Sequence, residues 1–149
     1  GNKSELAVGY STFYGDMCGA ISVIGDLYKS IVYKCARALN SKPSILNFSM
    51  PPLPSRVIER PPSAELRPDQ IDQDSLPPYN ELDSILFELI EMSKSIEEVV
   101  KVTGSNESIV KEVQRMLKLS EYKRFQSPVV LKVTSLAFGP GRRIPIARG

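Results

Sequence analysis

The chain begins GNKSELAVGYSTFYGDM, residues 1–17, and the reading of this stretch decides the fold. Gly1-Asn2 is a turn pair with nothing before it to turn. Glu5 follows at once, and residues 9–16 form a polar-aromatic run, Gly-Tyr-Ser-Thr-Phe-Tyr-Gly-Asp. Such a pattern reads as the exit of a strand and the start of a helix at a ligand site. Ser4 is the expected cap of a short helix running through Leu6 and Tyr10. The strand itself would lie upstream of Gly1.

The remaining composition is that of an ordinary globular domain. The chain has 149 residues, of which 42% are hydrophobic, enough to bury a core if the segments belong together. A net charge of +2 carries no polyanion-binding signature, so neither nucleic acid nor a membrane surface is expected as partner. The longest apolar stretches, around Ile85-Leu86-Phe87 and Leu89-Ile90, are too short to span a bilayer. Cys18 and Cys35 form no disulfide framework, which makes a reduced, cytoplasmic setting the default. There is no histidine. Ser-His and Cys-His catalysis and the usual zinc sites are thereby excluded. Chemistry here has to use carboxylates, lysines, hydroxyls, backbone groups or a hard metal ion.

Along the chain, Ile21, Val23 and Ile24 suit a short extended piece. Asp26 reads as an N-cap for a helix whose apolar face is Leu27, Ile31, Cys35 and Ala38, with Asn40 as its stop. Residues 42–79 hold most of the prolines, so long helices and central strands are unexpected there. One helical turn fits Ser55 to Glu59. The region reads equally as a linker or as an ordered loop anchored by Leu53, Val57, Ile58 and Leu66. Residues 80–126 are helical in pattern. Asn80 is the expected cap of a stripe through Leu82, Ile85, Leu86, Leu89 and Ile90. Ser95 and Glu98 have capping-box spacing, Gly104 is a stop, and Asn106 opens a third helix with Ile109, Val113, Met116 and Leu117. Tyr122-Lys123-Arg124 would end that helix, where cations suit the dipole. Val129-Val130-Leu131 is strand-like, and the tail to residue 149 reads as extended. Its Arg142, Arg143 and Arg148 lack the interleaved aromatics of a nucleic-acid surface.

Several residues suggest chemistry. Glu5 and Asp16 flank the Gly-rich turn; they are either solvated surface acids or the carboxylates that hold Mg2+ together with nucleotide phosphates. Lys29 falls in a helix's first turn, against the dipole, which is acceptable if it is simply exposed or if it reaches a phosphate. The acids and hydroxyls of Pro61-Pro62-Ser63-Ala64-Glu65-Leu66 and Asp72-Gln73-Asp74-Ser75-Leu76 lack helical periodicity. They form a solvated loop or one that folds over a polar ligand.

Taken together, GNKSELAVGYSTFYGDMCGA, IGDLYKS, PPSAELRPDQ, DQDSLPPY and SEYKRFQSP resemble, in order and over nearly the whole chain, the C-terminal part of glutamine-dependent NAD synthetase. That family belongs to the N-type ATP pyrophosphatases. The resemblance implies an α/β Rossmann-like parent domain, with residues 1–149 its C-terminal portion, mostly α-helical with long loops because the parallel strands lie largely upstream. It implies a ligase, in which ATP adenylates the nicotinate carboxylate of deamido-NAD, releasing pyrophosphate. Ammonia supplied from glutamine by a separate domain then gives NAD and AMP. Mg2+ and lysines would neutralise the phosphate charge.

Residue by residue, the resemblance assigns Glu5 to Mg2+ or deamido-NAD. Tyr10, Ser11, Thr12 and Phe13 go to the deamido-NAD side, with Asp16 near the adenylate. Lys29 and Ser63 go to ATP, and Lys123 to deamido-NAD. Tyr122 replaces a histidine of the shorter, ammonia-dependent enzymes, and Ala20 and Gln73 stand where many of those carry acids, which places the chain with the glutamine-dependent branch. The family's Ser-Gly-Gly-x-Asp-Ser pyrophosphate loop, the threonine before Gly1 and the glutaminase domain are absent from these residues. The expectation is a fragment that does not turn over by itself, from a homo-oligomeric parent. Two other readings stay open: a helical interaction module or degenerate remnant without catalysis, and, more weakly, an RNA binder with a basic tail.

Overall fold

The computed structural model describes residues 1–63 and 71–148. In chain order the elements are α1 (Lys3–Val8), β1 (Ile21–Ser22), α2 (Lys29–Ser41), α3 (Ser55–Glu59), α4 (Tyr79–Ile90), α5 (Ile96–Thr103), α6 (Glu107–Leu119), α7 (Glu121–Arg124) and β2 (Val129–Val130). Short 3-10 turns cover Pro43–Leu46, Asp72–Asp74 and Ile146–Arg148. The described chain is mostly helical, with one small parallel sheet pairing Ile21 with Val129 and Ser22 with Val130.

The core lies between α4, α5 and α6. Leu82, Ile85, Leu86 and Ile90 from α4 are buried, as the 3.6-residue period of their stripe requires. They pack with Val99 of α5 and Val110, Val113 and Leu117 of α6. Ile109 and Met116, expected in that stripe, sit at its margin and are only partly buried. The local signals hold well here. Ser95 and Glu98 form the reciprocal capping box, Gly104 takes a left-handed φ of 71°, and the Asn106 side chain accepts from the Ser108 amide. α1 packs against α4, α6 and α7 and contributes Leu6, Ala7 and Val8 to the same core.

Five local expectations are corrected. α1 is capped by Asn2, not Ser4: Asn2 and Glu5 form a capping box, while the Ser4 hydroxyl is committed to a tertiary contact. α4 begins at Tyr79, directly after Pro78, so Asn80 lies inside its first turn; prolines that cannot donate amides set the boundary. Tyr122, Lys123 and Arg124 belong to a separate short helix after a break at Ser120. The strand at Ile21 stops at Ser22, short of Val23 and Ile24. α2 is capped at Tyr28 rather than at Asp26, and it ends at Ser41, one residue beyond Asn40. Asp26 instead accepts from the Val133 and Thr134 amides at 2.7 and 2.6 Å and pairs with Lys3 at 2.9 Å. A buried carboxylate is better compensated by two amides and an ammonium than by one cap bond.

The expected apolar face of α2 is present in pattern but not buried. No residue of α2 is buried, and Ile31, Cys35 and Ala38 are exposed. The loop after it is ordered where described. Asn40 clamps Leu53 through both its amide groups, at 2.7 and 3.0 Å, and the Asp72 amide donates to the Pro62 carbonyl. Of the proposed loop anchors, Leu53 and Ile58 are half-buried and Val57 is exposed. Leu66 lies outside the described residues. The C-terminal segment is not simply extended. It turns through a Gly139–Arg142 bridge, and Ala137 and Phe138 are buried.

Candidate functional site

The site is built on the two ends of α1. At its start, Glu5 closes the capping box by accepting the Asn2 amide through Oε2 at 2.9 Å. Its other oxygen, Oε1, receives the Lys29 ammonium at 2.6 Å. One carboxylate thus terminates one helix and holds the first residue of another. The Lys29 ammonium also lies 5.4 Å from the Tyr79 ring centre and 5.8 Å from that of Tyr33, within cation–π range.

At the other end, Gly9 takes a left-handed φ of 79° and lets the chain leave α1 toward Tyr10 and Ser11. This exit is held by cations from α7. Lys123 donates to the Gly9 and Ser11 carbonyls at 2.7 and 2.9 Å. Arg124 is buried; it donates to the carbonyls of Leu6 and Ala7, pairs with Glu121 at 2.7 Å and stacks over Phe138. The two cations serve the carbonyls at the end of α1, with Arg124 also reaching Leu117 at the end of α6. A lysine has three donors, and two are spent here, which leaves one.

The turn that follows is stabilised by Asp16, whose Oδ1 accepts the Thr12 amide at 2.7 Å and its hydroxyl at 2.6 Å. Partial burial acts to raise the Asp16 pKa, but the Thr12 bonds outweigh it and hold the carboxyl below its usual range. Asp16 is therefore ionised at neutral pH. Behind α1, Lys3 is fully buried between Asp26 and Glu91, and it bonds Thr134 and the Leu136 carbonyl. This network fastens the 133–138 segment and α4 to the base of the site.

These groups enclose a cleft of about 630 Å³. Eight of the nine residues assigned from the resemblance line it: Glu5, Tyr10, Ser11, Thr12, Asp16, Lys29, Ser63 and Lys123. Phe13 does not; it packs on the core and against Tyr122, ring centres 5.8 Å apart. Gly1, Gly9 and Asp72 line the cleft as well. Asp72 is buried and receives the Tyr79 hydroxyl at 2.6 Å. Nothing in its loop distinguished it from Asp74; only the bond from Tyr79, brought in by α4, does. Ala20 and Gln73 are exposed and do not line the cleft. The Ser11 hydroxyl is buried without a hydrogen-bond partner among the described residues, an unsatisfied group on a cleft wall.

The implied Mg2+ can be tested against these donors. Glu5 and Asp16 flank Gly1, each with a carboxylate oxygen about as far as 3.6 and 3.5 Å from where a Cβ would sit. Mg2+ is commonly held by one or two carboxylates with substrate phosphates supplying further oxygens; Asp16 and Glu5 are of that type, Glu5 once Lys29 has left its Oε1. Among the described residues no cluster of three or more acidic, histidine or cysteine ligands forms a closed metal site.

Comparison with known proteins gives the family. The family model described as NAD synthase matches residues 1–127. A glutamine-dependent NAD(+) synthetase of Acinetobacter baylyi is 48% identical over the whole chain, which covers 26% of that protein. One from Aquifex aeolicus is also 48% identical, over 97% of the chain and 24% of its own length. The chain thus spans about a quarter of the length of these relatives. A solved glutamine-dependent NAD(+) synthetase from Cytophaga hutchinsonii shares the fold with a TM-score of 0.72 at 21% identity, over 98% of the chain and 23% of that structure. By the family match over most of its length, the chain belongs to the NAD synthase family.

Proposed function

We propose that this segment forms the deamido-NAD- and ATP-facing wall of the synthetase domain of a glutamine-dependent NAD synthetase. The observation that carries the reading is the convergence on one cleft of eight residues, spread from Glu5 to Lys123, that the family resemblance had assigned. The parent domain is α/β and Rossmann-like, and its phosphate loop and glutaminase domain belong to the remainder of the enzyme. The enzyme is a cytoplasmic homo-oligomer.

A carboxylate is a poor acyl donor until one oxygen becomes a good leaving group. The nicotinate carboxylate attacks the α-phosphorus of ATP and pyrophosphate departs. Ammonia then attacks the acyl carbon, AMP leaves with the bonding pair, and a proton is lost. Lys29, paired with Glu5 at the cleft wall, is the cation that would neutralise polyphosphate charge. Lys123 fixes the Gly9–Ser11 backbone and turns its remaining N–H to deamido-NAD. The unpartnered Ser11 hydroxyl and the Tyr10 and Thr12 side chains line the same side. Ser63 contacts ATP. Asp16, ionised and fixed by Thr12, faces the adenylate. Glu5 would hold Mg2+, which when bound neutralises phosphate charge.

The test is NAD formation from deamido-NAD and ATP with ammonia or glutamine, using the full-length chain. Turnover there, and none from residues 1–149 by themselves, is expected. No activity in the full chain overturns the reading. The exposed face of α2 favours a second reading, a docking module without catalysis. That module would give no heat with deamido-NAD in titration calorimetry of the full chain.

A further inference from the structure

α2 is a helix without a cap of its own. Tyr28 occupies the N-cap position and no side chain there accepts a first-turn amide. Orphan amides at a helix start need partners, and here they come from two other helices. The Ser30 amide donates to Asp83 Oδ2 on α4 at 2.8 Å. The Lys29 amide donates to the Ser4 hydroxyl on α1 at 2.9 Å, and that hydroxyl in turn donates to Asp83 Oδ1. Asp83 is buried and lies outside the residues lining the cleft.

The same face of α4 holds the other end of the lysine. Tyr79 stands one turn before Asp83, and its ring lies 5.4 Å from the Lys29 ammonium. Tyr79 is itself fixed by its hydroxyl bond to Asp72. α4 therefore meets the Lys29 ammonium through Tyr79 and reaches the Lys29 amide only by way of the Ser4 hydroxyl. The carboxylate also places a negative charge at the positive end of α2, offsetting the unfavourable lysine in that first turn. Tyr28, buried and donating to Glu91, and the Lys3 amide on the Leu27 carbonyl hold the same end, but Asp83 and Ser4 are the groups that meet the first-turn amides themselves.

We infer that Asp83 is a positioning residue for Lys29: acting through the amides of α2's first turn, it sets where the ATP-facing ammonium stands, while touching no substrate itself. This rests on the assignment of Lys29 in the proposed function. Burial is the dominant influence on Asp83 and pushes its carboxyl above the usual range despite the bonds from Ser4 and Ser30.

The experiment is a double-mutant cycle in the full-length enzyme, comparing D83N, K29A and the pair. Asn keeps the shape of Asp83 and can still accept the Ser30 amide. D83N is expected to lower kcat/KM for ATP about tenfold, with KM for deamido-NAD within about twofold and the thermal midpoint nearly unchanged. On the K29A background D83N should produce no further loss. Additive losses, or equal losses for both substrates, would show a merely structural group and overturn the inference alone. K29A without effect on ATP kinetics would overturn the assignment of Lys29, and the inference with it. Should D83N fail to fold, S4A gives the same cycle, because it leaves the carboxylate and removes only its link to the Lys29 amide.

Discussion

α4 and α2 are similar in length and both carry an apolar stripe, yet they are held in opposite ways. α4 buries Leu82, Ile85, Leu86, Leu89 and Ile90 against α5 and α6. α2 buries nothing; Ile31 is exposed, as are Ile45, Phe48 and Met50 in the segment after it. What fixes α2 is local to its start: the buried Tyr28 with its bond to Glu91, then Ser4, Asp83 and the Lys29–Glu5 pair. The contrast separates a helix held by packing along its length from one held at its start. A helix held at one end can be oriented accurately there while its far end stays free of the core.

The comparison can be broken first at the scaffold's polar anchor. R124M removes one partner of a buried ion pair and frees the carbonyls of Leu6 and Ala7, and should cost about 3–5 kcal/mol. In the full chain, hydrogen exchange should show α1 and α6 losing protection together. I85A, a cavity at the centre of α4, should cost about 2–5 kcal/mol by the same measurement, whereas I31A on α2 should fall within about 0.5 kcal/mol. Equal effects at the two helices would erase the distinction. K29A should lower kcat/KM for ATP about a hundredfold, equivalent to about 2.7 kcal/mol, while leaving exchange in α4 to α6 unchanged.

A smaller effect comes from Asp26. Burial acts to raise its pKa, but bonds from Thr134, Val133 and Lys3 prevail and hold the carboxyl below its reference value of 3.8. The folded pKa is depressed, so the contribution is full above the unfolded value and is lost as pH falls through the folded one. D26N should therefore weaken protection of residues 133–138 at neutral pH. The difference from the unmutated chain should shrink as pH drops below about 3.8. A difference that stays constant down to the folded pKa would refute the ionised Lys3–Asp26 arrangement.

The helical half was legible because its signals are short-range. Ser95–Glu98, Gly104 and Asn106 act within one turn of themselves, and the α4 stripe needs only its own period. The Asn2–Glu5 box had the same spacing and was equally readable, yet the hydroxyl of Ser4 competed for the role. Asp26 misled because a carboxylate before a helix looks the same whether it caps that helix or turns inward. Asp72 and Asp83 carried no local mark at all; each acquires meaning from a partner far away in sequence or set by helix packing. The α2 stripe shows the converse. Its period correctly announces a helix, but a period cannot say whether anything covers the face.

By itself, the sequence determined the helices from α4 to α6, the absence of histidine chemistry and, through its ordered motifs, the family and the residues of one cleft wall. Backbone periodicity, capping and turn chemistry are local, and they are written in neighbouring residues. Tertiary structure alone decided that Glu5 serves both a cap and Lys29, that α7 cations close the end of α1, and that Asp83 starts a helix on which it does not lie. Those are bonds between groups distant along the chain, and only the packing of α1 against α4 and α7 brings their donors and acceptors within reach.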